Sequence, residues 1–346
     1  MDDVERGRRL AEWFGAHARD LPWRLDPKPY HVLLGEFMTQ QTRIDTALPY
    51  YHRFLGRWPT LDDLAAAPVA DVLTAWAGLG YYRRARSLHE VARRAVAQGG
   101  LPRDVPGLLS LPGIGPYTAG AIASVAFGER VPVVDGNVER VLSRVVALEG
   151  DPAGAARASV WDVARRLVVA SPAAPSTHNQ GLMELGSLVC RPRAPDCPAC
   201  PWQSGCAAAT SPDPTQWPKK APARKPVAIR GASAVLWDGA GRWLAGHRSA
   251  GLLAGLWEPP RADDATALDA LLAAMCGIVP SLRSAGIVAH IFTHRKLTCE
   301  VSVGRWEGPV SPAGPYDRVA WVGEPADCAV SALARRLVTV GGPPPG

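Results

Sequence analysis

Residues 111–120 read LPGIGPYTAG, two glycines one residue apart between two prolines, followed by the small-residue run AIASVAF. Pro112 and Pro116 donate no backbone hydrogen bond, whereas Gly113 and Gly115 admit positive φ, so PGIG predicts a tight turn that aims its free amides outward. A helix is expected to start directly behind it. The first turn of a helix carries unsatisfied N–H groups and the positive end of the macrodipole, so a glycine turn in front of it makes an anion site. With LLSLP before the turn as a short helix, the stretch reads as a helix-hairpin-helix, which grips a DNA phosphate without reading the bases. A ligand-free turn between two packed helices has the same local signature.

Outward from this turn the texture stays helical. Apolar residues recur at helical spacing in 32–55, 72–79 and 138–148, which predicts an all-helical domain of about ten short helices over residues 1–211. The composition then shifts to SPDPTQWPKKAPARKP, with five prolines and four basic residues between 212 and 226. Such a segment is semi-extended and solvated, so 212–229 reads as a linker. Residues 230–346 predict a mixed α and β domain: a hairpin from ASAVLW and RWLAGHR around DGAG, a helical LDALLAAMCG, strand-like IVAHIF, LTCEVSVGRW and RVAWV, and a closing helix VSALARRLV.

A chain of 346 residues is long enough for two cores. Its 47% apolar and 20% charged residues are ordinary for a globular protein, which excludes disorder as the general state. No apolar run is long enough to span a bilayer and MDDVERGRRL has no signal-peptide core, so a cytoplasmic protein without a membrane partner is expected. The net charge of +6 is uneven, with 27 Lys and Arg against 22 Asp and Glu in 1–226 and 11 against 10 beyond. A polyanionic partner should therefore meet the first part. Seven cysteines are an odd number, and four of them crowd into CRPRAPDCPACPWQSGC as C-x6-C-x2-C-x5-C at Cys190, Cys197, Cys200 and Cys206. Thiolates this dense bind zinc or an iron-sulfur cluster, and a zinc ribbon usually shows two C-x2-C pairs where this chain has one.

The stretches LPWR (21–24), GEFMTQQT (35–42), GLGYYRRAR (78–86), LPGIGPYTAG, VDGNVERVL (134–142), NQGLMELGSLVC (179–190) and the cysteine loop agree in order and distance with one family. In these motifs the chain resembles the MutY family of adenine DNA glycosylases, within the endonuclease III, helix-hairpin-helix superfamily. The resemblance implies a [4Fe-4S] cluster on the four cysteines. It implies a substrate of double-stranded DNA carrying adenine opposite 8-oxoguanine or guanine, and a nucleoid-associated monomer. Cleaving an adenine N-glycosidic bond through an oxocarbenium-like transition state takes two carboxyl groups with opposite tasks. Glu36, inside the apolar LLGEFM, is expected to stay protonated by desolvation and to act as the general acid. Asp135, before a helix starting near Asn137, is expected to stay ionised at that N-terminus and to stabilise the sugar cation or bond it covalently. Asn137 counts by resemblance among the catalytic residues.

At position 117, relatives that also cut the backbone carry a lysine whose amine forms a Schiff base; Tyr117 cannot, which implies a monofunctional glycosylase. An endonuclease III-like glycosylase and lyase for oxidised pyrimidines is the alternative. By resemblance Trp23, Arg24 and Glu184 form the adenine pocket, Gln41 fills the gap in the stack, Tyr81 wedges beside 8-oxoguanine, Gln40 and Leu79 flank them, and Gly113 and Gly115 meet the phosphate. Residues 230–346 resemble a Nudix-like (MutT-like) domain. Their GLWEPPRADDATALDALLAAM lacks the glutamate array that holds Mg²⁺, so recognition rather than hydrolysis is expected. The family's Phe-Ser-His loop for 8-oxoguanine corresponds to Phe292, Thr293 and His294, with threonine in place of serine.

Overall fold

A computed structural model describes residues 1–219, 221–222, 226–325 and 328–343; the expected linker's residues 220 and 223–225 lie outside the described residues. The helices run α1 (Asp3–His17), α2 (Pro22–Leu25), α3 (Pro29–Thr39), α4 (Ile44–Arg57), α5 (Leu61–Ala66), α6 (Val69–Ala75), α7 (Arg83–Ala97), α8 (Val105–Leu109), α9 (Pro116–Ala126), α10 (Gly136–Val145), α11 (Arg157–Ala170) and α12 (Pro175–Leu188). Strands β1 (Val227–Trp237), β2 (Trp243–Arg248), β3 (Trp257–Glu258) and β4 (Arg261–Ala262) follow, then α13 (Ala265–Cys276), β5 (Arg283–Ile291), β6 (Arg295–Arg305), β7 (Tyr316–Val322) and α14 (Ala332–Val340). Strand β1 thus begins inside the segment read as linker. Among the described residues no helix is long and apolar enough to cross a membrane.

The chain forms two compact units. The first comprises Met1–Ala47, Trp58–Ala65 and Glu90–Pro222 and is all-helical. Helices α1 and α8 start where a side chain satisfies a first-turn amide: Asp2 accepts from Glu5 N ahead of α1, and Asp104 accepts from Gly107 N ahead of α8. Leu10 and Trp13 of α1, Val138, Val141 and Leu142 of α10, Leu167 of α11, and Leu182 and Leu185 of α12 form its core together with Trp202. The indole of Trp202 is fully buried and donates to Arg6 O at 2.8 Å, anchoring the cysteine loop to α1. Helix α3 is apolar nearly throughout, and Gly35 lets Trp23 lie against it, since a Cβ there would come within 2.6 Å of the indole.

His178 of α12 is 1% exposed and neither ring nitrogen has a hydrogen-bond partner. Burial, aided by the charge of Arg130, pushes its pKa down to about 4. The unfolded chain protonates at pH 6.5 while the folded one stays neutral, so this group's contribution to stability is complete above pH 6.5 and is lost as pH falls toward 4. Denaturant titration is expected to show the protein losing about 2 kcal/mol on this account between pH 7 and pH 5. His178→Leu should lose correspondingly less. Equal losses in both proteins would place the acid sensitivity elsewhere.

The second unit comprises Leu48–Arg57, Ala66–His89 and Ala223–Gly346. Segments 48–57 and 66–89, read from the sequence as part of the helical domain, cluster here because of long-range contacts such as the Tyr82 hydroxyl, which donates to Val330 O at 2.6 Å. The sheet runs β3-β2-β1-β6-β5, with β4 pairing β1 and β7 pairing β2. Strands β1 and β6 are parallel, from Val227↔Arg295 to Trp237↔Arg305, and β5 pairs β6 antiparallel. Because successive side chains alternate faces, Val235 and Trp237 pack with Leu333, Leu337 and Val338 of α14, while Ala232, Ala234 and Leu236 pack with Leu268, Leu271 and Leu272 of α13. Residues 292–294 form the turn between β5 and β6.

Candidate active site

Helix α9 starts at the expected turn. Gly113 has φ +79°, the left-handed region the turn demands, whereas Gly115 is an extended N-cap at φ −97° and makes no use of glycine's freedom. No side chain caps α9, so its first-turn amides suit an outside anion. Behind the turn, Tyr117 sits in the first turn of α9 and reaches a cavity of about 430 Å³ in the helical unit.

That cavity gathers seven of the residues singled out from the sequence: Trp23, Arg24, Glu36, Tyr117, Asp135, Asn137 and Glu184. Glu36, 7% exposed, projects from α3, and its Oε2 has no hydrogen-bond partner. Burial pushes its carboxyl up to about 7; the Tyr117 hydroxyl opposes the rise, the negative charge of Asp135 adds to it, and Arg24 opposes it. The Tyr117 hydroxyl also lies 3.7 Å from Met183 Sδ, and burial raises its own pKa well above the usual phenol value.

Asp135 caps α10. Its Oδ1 accepts from Asn137 N at 2.9 Å and Val138 N at 2.7 Å, and its Oδ2 accepts from Asn137 Nδ2 at 2.9 Å. These donors favour the ionised form, as expected, yet burial outweighs them and raises the carboxyl above its ordinary value. Asn137 is fixed in turn by Arg140, whose Nη2 donates to Asn137 Oδ1 at 2.9 Å and Gly186 O at 2.7 Å while its Nε donates to Cys190 O at 2.7 Å. One arginine therefore bridges the neighbour of Asp135 and the first cysteine.

Glu184 is fully buried in α12 and held by arginines: Arg19 donates from its backbone N at 3.0 Å, Nε at 2.7 Å and Nη2 at 2.8 Å, and Arg24 donates from Nη2 at 2.9 Å. Burial alone would raise this carboxyl, but the arginine bonds hold it at about 2. Arg19 was missed from the sequence. Its only signal there is a basic residue two positions ahead of LPWR. Met183 likewise escaped notice, sitting beside Glu184 in an apolar helical run.

The remaining residues are placed elsewhere. Gln40 ends α3 and donates to Thr118 Oγ1 at 3.1 Å, while Gln41 is exposed with φ +55°. In the second unit Tyr81 is 48% exposed, whereas Leu79 is buried at 6%. Phe292 and His294 line a groove of about 1190 Å³ together with Arg230, Arg248, Arg261 and Arg295, and Thr293 is exposed beside them.

Cys190, Cys197, Cys200 and Cys206 line one cavity with Val141, Arg144, Leu185 and Trp202. Arg144, 2% exposed, knits the loop: Nη1 donates to Cys190 Sγ at 3.3 Å and Arg191 O at 2.8 Å, Nη2 to Pro192 O at 2.9 Å, and Nε to Trp217 O at 3.0 Å. Burial pushes the Cys200 thiol up to about 12 and raises Cys197 and Cys206. Among the described residues, no set of three or more His, Cys, Asp or Glu side chains closes on a single metal ion.

Comparison with known proteins agrees with this layout. Residues 34–166 match the HhH-GPD superfamily of base excision DNA repair proteins, and residues 232–340 match the NUDIX domain. The chain is 37% identical over 399 residues to the adenine DNA glycosylase of Homo sapiens, covering 96% of this chain and 73% of that protein. It is 44% identical over 195 residues to the adenine DNA glycosylase of Mycolicibacterium smegmatis, covering 56% of this chain and 66% of that protein. A solved structure, that of a thermostable thymine-DNA glycosylase, matches with a TM-score of 0.54 at 27% identity, covering 60% of this chain and 96% of that one.

Proposed function

The chain belongs to the adenine DNA glycosylases of base excision repair, and from that premise we propose that it flips adenine out of A:8-oxoguanine and A:G mispairs and hydrolyses the N-glycosidic bond without cutting the backbone. The observation that carries this reading is the shared cavity: a buried Glu36, whose Oε2 has no hydrogen-bond partner, and a hydrogen-bonded Asp135 face one space, with a phenol at 117 in place of an amine. Glu36, protonated up to about pH 7, gives its proton to adenine N7. The C1′–N9 bond then breaks with its electron pair going to the base. The cation at C1′ faces Asp135, whose charge is fixed by Asn137 and Val138. Glu36, now a carboxylate, takes a proton from the water that adds to C1′, which returns the acid and completes the hydrolysis.

Phe292, Thr293 and His294, on the turn at the basic groove, are assigned to the 8-oxoguanine strand, and Tyr81 to the wedge beside that base. Single-turnover base release on an A:8-oxoguanine duplex, beside A:G, A:C and thymine glycol duplexes, tests the assignment. Release of adenine fastest opposite 8-oxoguanine is expected. Release of thymine glycol with borohydride trapping of a covalent adduct would instead establish the lyase alternative.

The cysteines are assigned a [4Fe-4S] cluster. Four thiols line one cavity, and their C-x6-C-x2-C-x5-C spacing, with a single C-x2-C pair, supports this reading over a zinc ribbon. The cations of Arg140 and Arg144 at Cys190 would offset the charge of thiolate ligands. When bound, the cluster's contribution is to hold the loop against α10 and α12. Iron and acid-labile sulfide, with a broad visible absorbance, are expected in the purified protein and should be lost in Cys200→Ser. Stoichiometric zinc without sulfide would overturn the assignment.

A further inference from the structure

Arg84 stands second in α7, three residues beyond Tyr81, and its side chain turns back onto the loop before the helix. It is 9% exposed, and its Nη2 donates to Leu79 O at 3.2 Å and Gly80 O at 3.3 Å. The guanidinium carbon lies 5.3 Å from the centre of the Trp76 ring and 5.4 Å from that of Tyr81. Trp76 joins the same frame by donating Nε1 to Gly80 O at 3.0 Å. The loop it spans is unusual in backbone: Gly78, Gly80 and Tyr81 have φ of +108°, +70° and +49°. For a tyrosine the left-handed region costs on the order of 1 kcal/mol or more, so the surroundings must impose it.

We propose that Arg84 is the positioning residue that holds Tyr81 in its projecting, left-handed conformation, and so sets the preference for 8-oxoguanine over guanine opposite the excised adenine. This rests on the assignment of Tyr81 as the wedge. The guanidinium suits the task because its planar fork serves two carbonyls while its face covers two rings; an ammonium can do neither together. Burying it is costly, which shows in a pKa pushed down to about 10 by burial, yet it remains charged at neutral pH. Two carbonyl bonds and two ring contacts of that side chain fall on residues 76–81. Tyr81 itself stays 48% exposed and ready to meet a base.

The test is an epistasis cycle read as the ratio of single-turnover rates on A:8-oxoguanine and A:G duplexes. The variants are Arg84→Lys, Arg84→Met, Tyr81→Ala, and each Arg84 change combined with Tyr81→Ala. Arg84→Met keeps length and ring contact without donors or charge, so it folds where a mispositioned ammonium is costly; thermal melting of the free proteins reports folding separately. Both Arg84 changes are expected to cut the ratio about tenfold, the worth of roughly 1.4 kcal/mol, and to have no further effect once Tyr81 is alanine. Unchanged ratios in both Arg84 variants, or losses that persist in full beside Tyr81→Ala, overturn the proposal while leaving the wedge intact. A Tyr81→Ala ratio equal to that of the unaltered protein overturns the wedge assignment and this proposal with it.

Discussion

Glu36→Gln is expected to lower adenine release about 10³-fold while leaving duplex binding within a few-fold, because glutamine copies the shape of the acid and has no proton to give. Glu36 is held neutral chiefly by burial, with a carboxyl at about 7. Release by the unaltered enzyme should therefore fall as pH rises through 7, since the reactive form is the protonated one. The same shift predicts a stability effect that also declines as pH rises. A folded-state value raised from 4.5 to about 7 means that the folded chain holds the proton more tightly than the unfolded one. The contribution is complete below pH 4.5 and is lost as pH rises through 7. Glu36→Gln should thus be more stable than the unaltered protein by about 3 kcal/mol at pH 8, and by much less at pH 5. Denaturant titration at the two pH values measures this. A variant that still releases adenine at the original rate would falsify the acid assignment, and equal stability at pH 8 would show that Glu36 is not desolvated in the free enzyme.

Much of this site could be read from the chain because its parts are local. PGIG followed by a small-residue helix specifies a turn and an uncapped N-terminus within ten residues, and both are present at Gly113 and α9. A glutamate in LLGEFM is buried because the helix around it is apolar on nearly every side. An aspartate directly ahead of the helix that begins at Gly136 becomes its cap. What could not be read depends on partners far along the chain. Arg19 finds Glu184 across 165 residues, and no periodicity records that meeting. The balance at Asp135 between three donors and burial is a tertiary quantity, so the local cap argument predicts the bonds and misses the net direction. The last six residues of β1 were legible as the hairpin strand ASAVLW, which pairs β2 at Trp237↔Trp243, but its start at Val227 inside the proline-rich segment was not, and neither was its parallel pairing with β6, which lies beyond β2 to β5 in sequence. Gly115 shows the converse error: permission for positive φ is not a requirement.

The second large effect is expected at Asp135. Asp135→Asn should reduce adenine release by on the order of 10³-fold, because the charge that faces the developing C1′ cation disappears while the helix cap survives. Asparagine caps as well as aspartate, and its Oδ1 can still accept from the Asn137 and Val138 amides at the 2.9 and 2.7 Å positions. The loss falls on the other oxygen. Asn137 Nδ2 now donates to Asp135 Oδ2, and in the variant it would meet a second amide donor. Because Asn137 is tied through Arg140 to Cys190 O, any relaxation of that clash is directed toward the cysteine loop. Asp135→Ala separates the two roles: it removes charge and cap together, so it should be less stable than Asp135→Asn by about 1 kcal/mol in denaturant titration and release adenine no faster. The raised carboxyl of Asp135 adds a pH signature. Since the reactive form is ionised, release by the unaltered enzyme should decline on the acid side at a pH above the ordinary aspartate range, giving a bell with its alkaline limb near Glu36's value of about 7. If Asp135→Asn keeps most of the rate, the sugar cation is stabilised by something other than this carboxylate, whatever the state of the cap.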